Sequence, residues 1–290
     1  MIGLPKRALI WLALPATVFL FSFFILPLIF VAADSFSDGG SAYGRVVSDP
    51  VFWAGLKGSF VIGIAAPLFS LVVGYFVSLH LAGKTERVRT ILMFGISLPL
   101  TFSGLIVAYG FILTFGRAGF VTSLLAGIGA DPAVIGGFIF SPLGLGFTYS
   151  YYLIPRVVMV LLPPLVNFDY AQINAAKSMG ASGFRAHLDI LLPQLIPGFI
   201  SAFCLTSAVA FGAYGTALAL VGTQVNILPL VLYSKISETG SDLPAASAIS
   251  VILMAICILI TTVAETVSAR KGAAASRRKV RADKGLRLAN

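Results

Sequence analysis

The sequence predicts an all-α polytopic membrane protein with six transmembrane helices, and three observations carry that prediction. Hydrophobic residues make up 58% of the 290 and charged residues only 11%, whereas soluble domains average roughly 25% charged. The apolar residues fall in long runs, and about 20 in a row match the ~30 Å hydrocarbon core of a bilayer. Lysine and arginine gather in alternate connections, as they do in chains that cross a membrane repeatedly.

The first span is expected at 8–33. Lys6-Arg7 ahead of an apolar run also opens a signal peptide, but this run far exceeds the ~7–15 residues of a signal core, so an uncleaved helix is expected. Pro15 and Pro27 should bend it. Further spans are expected at 59–81, 91–115, 133–162, 195–222 and 245–266, with Pro163-Pro164 ending or kinking the fourth. Their many glycines and prolines suit membrane helices, where neighbouring helices satisfy the freed backbone groups. The whole chain is read as one membrane domain, followed by a basic tail at 267–290.

Orientation follows from the basic residues. One side collects Lys6, Arg7, Lys84, Arg87, Arg89, Lys177, Arg185 and eight more from the tail, 15 in all; the other has only Arg45, Lys57, Arg117 and Lys235. The positive-inside rule then puts both termini in the cytoplasm, and an even number of spans agrees. The net charge of +9 is thus a topology signal. The tail carries no interleaved aromatics, so lipid contact is expected of it and nucleic-acid binding is not.

Catalytic and metal chemistry find no purchase. Cys204 and Cys257 are not in a paired spacing, and His80 and His187 stand alone. No cofactor is expected on this chain.

One connection is more than a linker. Residues 168–192 read FDYAQINAAKSMGASGFRAHLDILL. Gln172 to Met179 are good helix formers and Gly180 is a natural stop, so a short cytoplasmic helix is expected there. A turn at 181–183 and a second short helix over 184–192 should lead to Pro193. Ile173, Ala176 and Met179-Gly180 can share one face, which would stand exposed without a partner.

Asn174-Ala175-Ala176, Gly180, Ile190, Leu192 and Pro193 resemble the EAA loop of ATP-binding-cassette (ABC) importer permeases, whose pattern is E-A-A-x3-G-x9-I-x-L-P. Every interval is kept. Asn174 stands where the family has Glu, which keeps hydrogen bonding but removes an ion pair. Residues 149–165 and 210–222, with Ile227-Leu228-Pro229 and Asp242-Leu243-Pro244, look like the polyamine (spermidine/putrescine) branch, although 216–222 reads TALALVG where that branch has a Thr-Pro-x-Leu-Leu-Gly-Gly phrase.

That resemblance implies a type I permease in the bacterial inner membrane. It implies two ABC ATPase subunits, a second permease subunit (a paralogue rather than an identical copy) and a periplasmic solute-binding protein as partners. The chain has no G-x-x-x-x-G-K-[ST] phosphate loop, so ATP and Mg2+ belong to the ATPases and this subunit is not an enzyme. Its helix near Asn174 to Gly180 is expected to couple ATPase closure to the spans.

Polar residues inside spans are the candidates for a solute path: Ser207, Tyr214 and Thr216 in the fifth, Tyr149 with Tyr151 and Tyr152 in the fourth. Singly, each reads as helix packing or an interfacial aromatic. Arg156 is expected to snorkel to the cytoplasmic interface, and Lys235, Glu238 and Asp242 to form a solvated external loop. The branch resemblance implies a small polyamine-like cation as cargo, with ferric complexes, phosphonates or other small solutes as alternatives. A secondary transporter is the rival class, but internal repeats and mid-span acids, which it calls for, are not evident.

The topology is testable by cysteine labelling in a background lacking Cys204 and Cys257. An impermeant reagent applied from outside should modify Ser41→Cys or Ser241→Cys and spare Ser182→Cys. Strong external labelling at 182 would invert the orientation.

Overall fold

The computed structural model describes residues 14–129, 131–222, 224–237, 242–263 and 266. The start of the expected first span at 8–13, Glu238 and the basic tail lie outside the described residues. Six stretches are long and apolar enough to cross a membrane: Leu14–Asp34, Pro50–Ala82, Gly104–Ala126, Pro142–Val166, Gly183–Phe211 and Leu243–Val263. We label these α1 to α6 in that order.

Helices α2, α4 and α5 form the centre, with α2 packed most extensively on α4. Small residues make that approach possible. An added Cβ on Gly74 would sit 2.6 Å from Val157 Cγ1, and one on Gly63 2.6 Å from the Phe211 ring. In lipid, helices gain little from hiding apolar surface, so close van der Waals packing through small residues holds them together. Ser59 adds a polar tie, its hydroxyl accepting from the Leu228 N–H at 2.8 Å in the buried interior. By contrast, α1 has no buried residue in its apolar window. At its end, Ser247 donates to Asp34 at 2.7 Å and anchors it to α6.

Several expected boundaries move. The second span begins at Pro50, capped by Asp49. The third is interrupted: a helix over Glu86–Ser97 gives way to a 3-10 turn at Leu98–Thr101, and α3 starts at Gly104 behind a Ser103 cap. Met93 and Ile96 pack beside Leu81 and Leu162 near the ends of α2 and α4, whereas Phe111 packs on Phe147 near the start of α4. The segment from 86 to 115 therefore runs the length of α4 in two pieces. The fourth span starts late, because Pro132–Gly137 and Phe138–Phe140 form a separate turn of helix before Ser141 caps α4. Pro163-Pro164 do not end it; α4 continues to Val166. The expected fifth span is cut at Gly212–Ala213, after which Tyr214–Val221 forms its own helix, α7.

Two prolines do reshape their helices, through wide turns. A π-turn at Phe21–Ile25 closes with the Leu26 N–H on the Phe21 carbonyl, directly before Pro27. A second, at His187–Leu191, closes with Leu192 on His187, directly before Pro193. Proline lacks the N–H that would bond four residues back, and lengthening the preceding turn absorbs the defect without a break.

At the end of the bundle opposite the 168–192 loop, charged residues pair with one another. Arg45 reaches Asp242 at 3.0 Å and Asp38 at 2.8 Å, and Lys235 reaches Asp49 at 2.9 Å. The Ser41 hydroxyl, with the Ala42 N–H and Arg45, holds the Asp38 carboxyl down to about 2 despite some desolvation. Lys235 and Asp242 are therefore paired within this chain while their side chains stay about a third exposed.

The packing argument predicts that Gly74→Val lowers the melting temperature of the purified protein, by a free energy of about 1–3 kcal/mol. Gly44→Ala should be silent, because a Cβ there meets nothing within 4 Å. Equal melting of both variants would refute glycine-dependent packing of α2 on α4.

Candidate functional site

Two places in the fold have the geometry of function. The first is the 168–192 loop. A helix, α8, spans Ala171–Ser178, started by Asp169, whose carboxylate accepts from the Ala171 N–H at 3.0 Å. It ends in a Schellman turn: Ala181 N–H reaches the Ala176 carbonyl and Gly180 N–H the Lys177 carbonyl, both at 3.0 Å. Gly180 sits at φ +93°, a left-handed conformation that costs a residue with a Cβ roughly 1–2 kcal/mol. The Gly of the motif is thus required by the turn, with nothing within 4 Å of the place its Cβ would occupy.

Ile173 and Ala176 point inward, contrary to the exposed face expected of them. They pack with Leu165, Ala186, Leu191 and Leu195 and with Ile190, and burying the Ile173 side chain contributes about 1.5–3 kcal/mol. Asn174, Ala175 and Gly180 face outward, and beyond them Met179 is 83% and Phe184 77% exposed. The expected second helix at 184–192 is no separate element. It runs through the π-turn into α5, and Leu192 and Pro193 belong to that junction. Gln194 also donates to Gln172 at 3.0 Å, tying α5 back to α8.

The second place is a cavity of about 300 Å³ where the break before α3 meets the break before α7. Its lining includes Pro99, Gly104, Ala213, Tyr214 and Thr216, with Tyr152 and Arg156 from α4. Gly104 is pressed against the Thr216 hydroxyl with no room for a Cβ. The break before α7 is held from behind by Tyr149, whose hydroxyl donates to the Ala213 carbonyl at 2.6 Å. The Tyr152 hydroxyl faces Thr216 without completing a hydrogen bond.

Of the six residues expected on a path, Tyr152, Tyr214 and Thr216 line this cavity, and Tyr151 is 40% exposed outside it. Tyr149 is fully buried behind it as a brace, and Ser207 is buried elsewhere with an unpaired hydroxyl. Arg156 is the residue misplaced by sequence reasoning. It does not reach toward the 168–192 end; its guanidinium donates to the Tyr152 carbonyl one turn the other way, at 2.7 Å, and lies 5.5 Å from the Tyr152 ring centre. Helical side chains tilt toward the N-terminus of their helix, which is the signal that could have placed it.

Comparison with known proteins accords with this architecture. Residues 70–272 match the family described as binding-protein-dependent transport system inner membrane component, and the chain belongs to that family. It is 24% identical over 81% of its length to sulfate permease 2, chloroplastic, of Chlamydomonas reinhardtii, covering 62% of that protein. It is 28% identical over 64% of its length to the spermidine/putrescine transport system permease protein PotB of Salmonella typhimurium, covering 64% of it. The chain thus spans a little under two thirds of these relatives. Its fold is that of a chain in the crystal structure of a bacterial alginate ABC transporter in complex with an alginate pentasaccharide-bound periplasmic protein, with a TM-score of 0.74, 18% identity and coverage of 91% and 95% of the two chains.

The Schellman turn separates two variants at one position. Gly180→Asn should keep slow amide exchange over 171–181, since Asn tolerates the left-handed region, while Gly180→Val should speed it several-fold. Identical exchange in both would show that the turn does not depend on φ.

Proposed function

We propose that this chain is a permease subunit of an ATP-driven, binding-protein-dependent importer. It forms part of the path of a small solute and carries the docking element for two ATPase subunits. The observation that supports this best is the construction of the 168–192 loop. The motif residues divide into Ala176 and Ile190, which pack in the cluster tying the loop to α5, Leu192 and Pro193 within α5 itself, and an outward set (Asn174, Ala175 and Gly180), beside the bare Met179 and Phe184. A large apolar side chain left four-fifths exposed beside a rigid turn is what a protein partner covers.

ATP and Mg2+ are used by the partner subunits. Asn174, in place of the family's Glu, offers the ATPase a hydrogen bond where an ion pair is usual. The basic distribution supports a cytoplasmic location for this loop and for both termini. A second permease, a paralogue, is proposed from the family resemblance. The solute-binding protein would meet the opposite end of the bundle, where Arg45, Asp242, Lys235 and Asp49 are paired.

Met179→Glu tests the docking. The side chain is exposed, so insertion and thermal stability should be unchanged, while co-purification of the ATPase subunits and ATP hydrolysis by the complex fall about tenfold or more, the scale of a charge desolvated at an interface. A Met179→Glu complex with its full complement of ATPase and normal hydrolysis would place the docking elsewhere.

A further inference from the structure

We infer that the cavity between the two helix breaks is a solute subsite for an oxyanion group, held by Arg156, Tyr152, Thr216 and the start of α7. The inference deepens the importer reading and rests on it.

Arg156 is the fifteenth residue of the 25 in α4, so about 15 Å of helix separates it from the Val166 end at 1.5 Å per residue. A cation at that depth is expensive and needs compensation. Among the described residues no carboxylate pairs with it, and its one hydrogen bond to protein goes to the Tyr152 carbonyl. A guanidinium has five N–H donors, so most of its capacity remains for a ligand.

The other groups have the same polarity. Tyr152 is 8% exposed and its hydroxyl has no partner. The Thr216 hydroxyl is buried beside it. Helix α7 begins at Tyr214 without a capping side chain, which leaves the positive end of its dipole at the cavity. No Asp or Glu is among the lining residues. Donors and positive potential converge with nothing to balance them, which suits the oxygens of a phosphate, phosphonate, sulfate or carboxylate. A polyamine would meet Arg156 as a like charge, so the cavity argues for an anionic cargo against the branch-level expectation of a cation.

The test uses the whole transporter, this chain with its ATPase and permease partners, in nanodiscs. Equilibrium dialysis with radiolabelled inorganic phosphate, and separately with spermidine, reads the site directly. Phosphate should bind the wild type, and Arg156→Gln should weaken it about tenfold or more. Tyr152→Phe should weaken it about threefold, Arg156→Lys should retain part, and Arg87→Gln, at an exposed arginine, should match the wild type. Phosphate binding that is absent, or equal in wild type and Arg156→Gln, overturns the proposal, as does spermidine binding that Arg156→Gln leaves unchanged. Discs with and without phosphatidylglycerol should give the same phosphate affinity; loss of binding with that lipid would make the occupant a headgroup and overturn the assignment to cargo. The ATPase content of each preparation separates the two readings. Failure of phosphate binding with ATPase present sinks only this subsite, whereas a wild-type chain that never holds ATPase sinks the importer reading itself.

Discussion

Inside a bilayer no water is available to the backbone, so each N–H and C=O must find its partner within the protein. The rest of this structure depends on that constraint. Unbroken helix meets it along α2 and α4, and the irregular backbone is confined to positions where other elements supply partners. The break before α7 shows how. The Ala213 carbonyl is freed by the end of α5 and taken by the Tyr149 hydroxyl, which is why a fully buried tyrosine stands at that depth. The break before α3 is closed by Ser103, whose side chain receives the Ile106 N–H. The two interruptions meet at Gly104 and Thr216. Both breaks line the same pocket.

The constraint also explains the behaviour of the prolines. A proline in water commonly ends a helix, because the orphaned carbonyl can turn to solvent. In lipid that exit is closed. The turns before Pro27 and Pro193 widen, and α4 passes through Pro155, Pro163 and Pro164 without ending. Each keeps the chain helical at the cost of local geometry. Small residues then recover contact between helices: Gly63 admits the Phe211 ring and Gly74 admits Val157, both closer than any Cβ would allow.

What the sequence made legible follows from these same forces. Six apolar stretches were readable because span length is set by the bilayer, and Gly180 was readable because a left-handed turn selects glycine. Interruptions were not. The segment 98–103 and the pair Gly212–Ala213 carry no charge and sit between apolar runs, so a window-averaged hydropathy runs across them. The late start of α4 was hidden for the same reason, since residues 132–140 are apolar but fold as short turns. The inward face of Ile173 and Ala176 was missed because the short helix offers apolar residues on more than one side, and only the positions of α2 and α5 decide which side is covered. Tyr152 could be named as a path candidate and Arg156 as a charge within a span. Their role required knowing that two breaks from distant parts of the chain converge on them.

The loop and the cavity are joined by a single element. The turn at Gly180 leads within a few residues into α5, which runs 29 residues from Gly183 to Phe211, about 43 Å at 1.5 Å per residue. Its far end is the break held by Tyr149, and beyond that lie Tyr214 and Thr216 in the cavity wall. Gln194 and the shared apolar cluster bind the first turns of α5 to α8, so these parts move together or must break those contacts. On the proposed coupling, a displacement imposed on α8 would reach the cavity as tilt or translation of α5. The Gly212–Ala213 break, with the Ala213 carbonyl satisfied by Tyr149, is where α7 would change its angle in response. The backbone constraint that shapes the cavity thus also joins its wall to the loop.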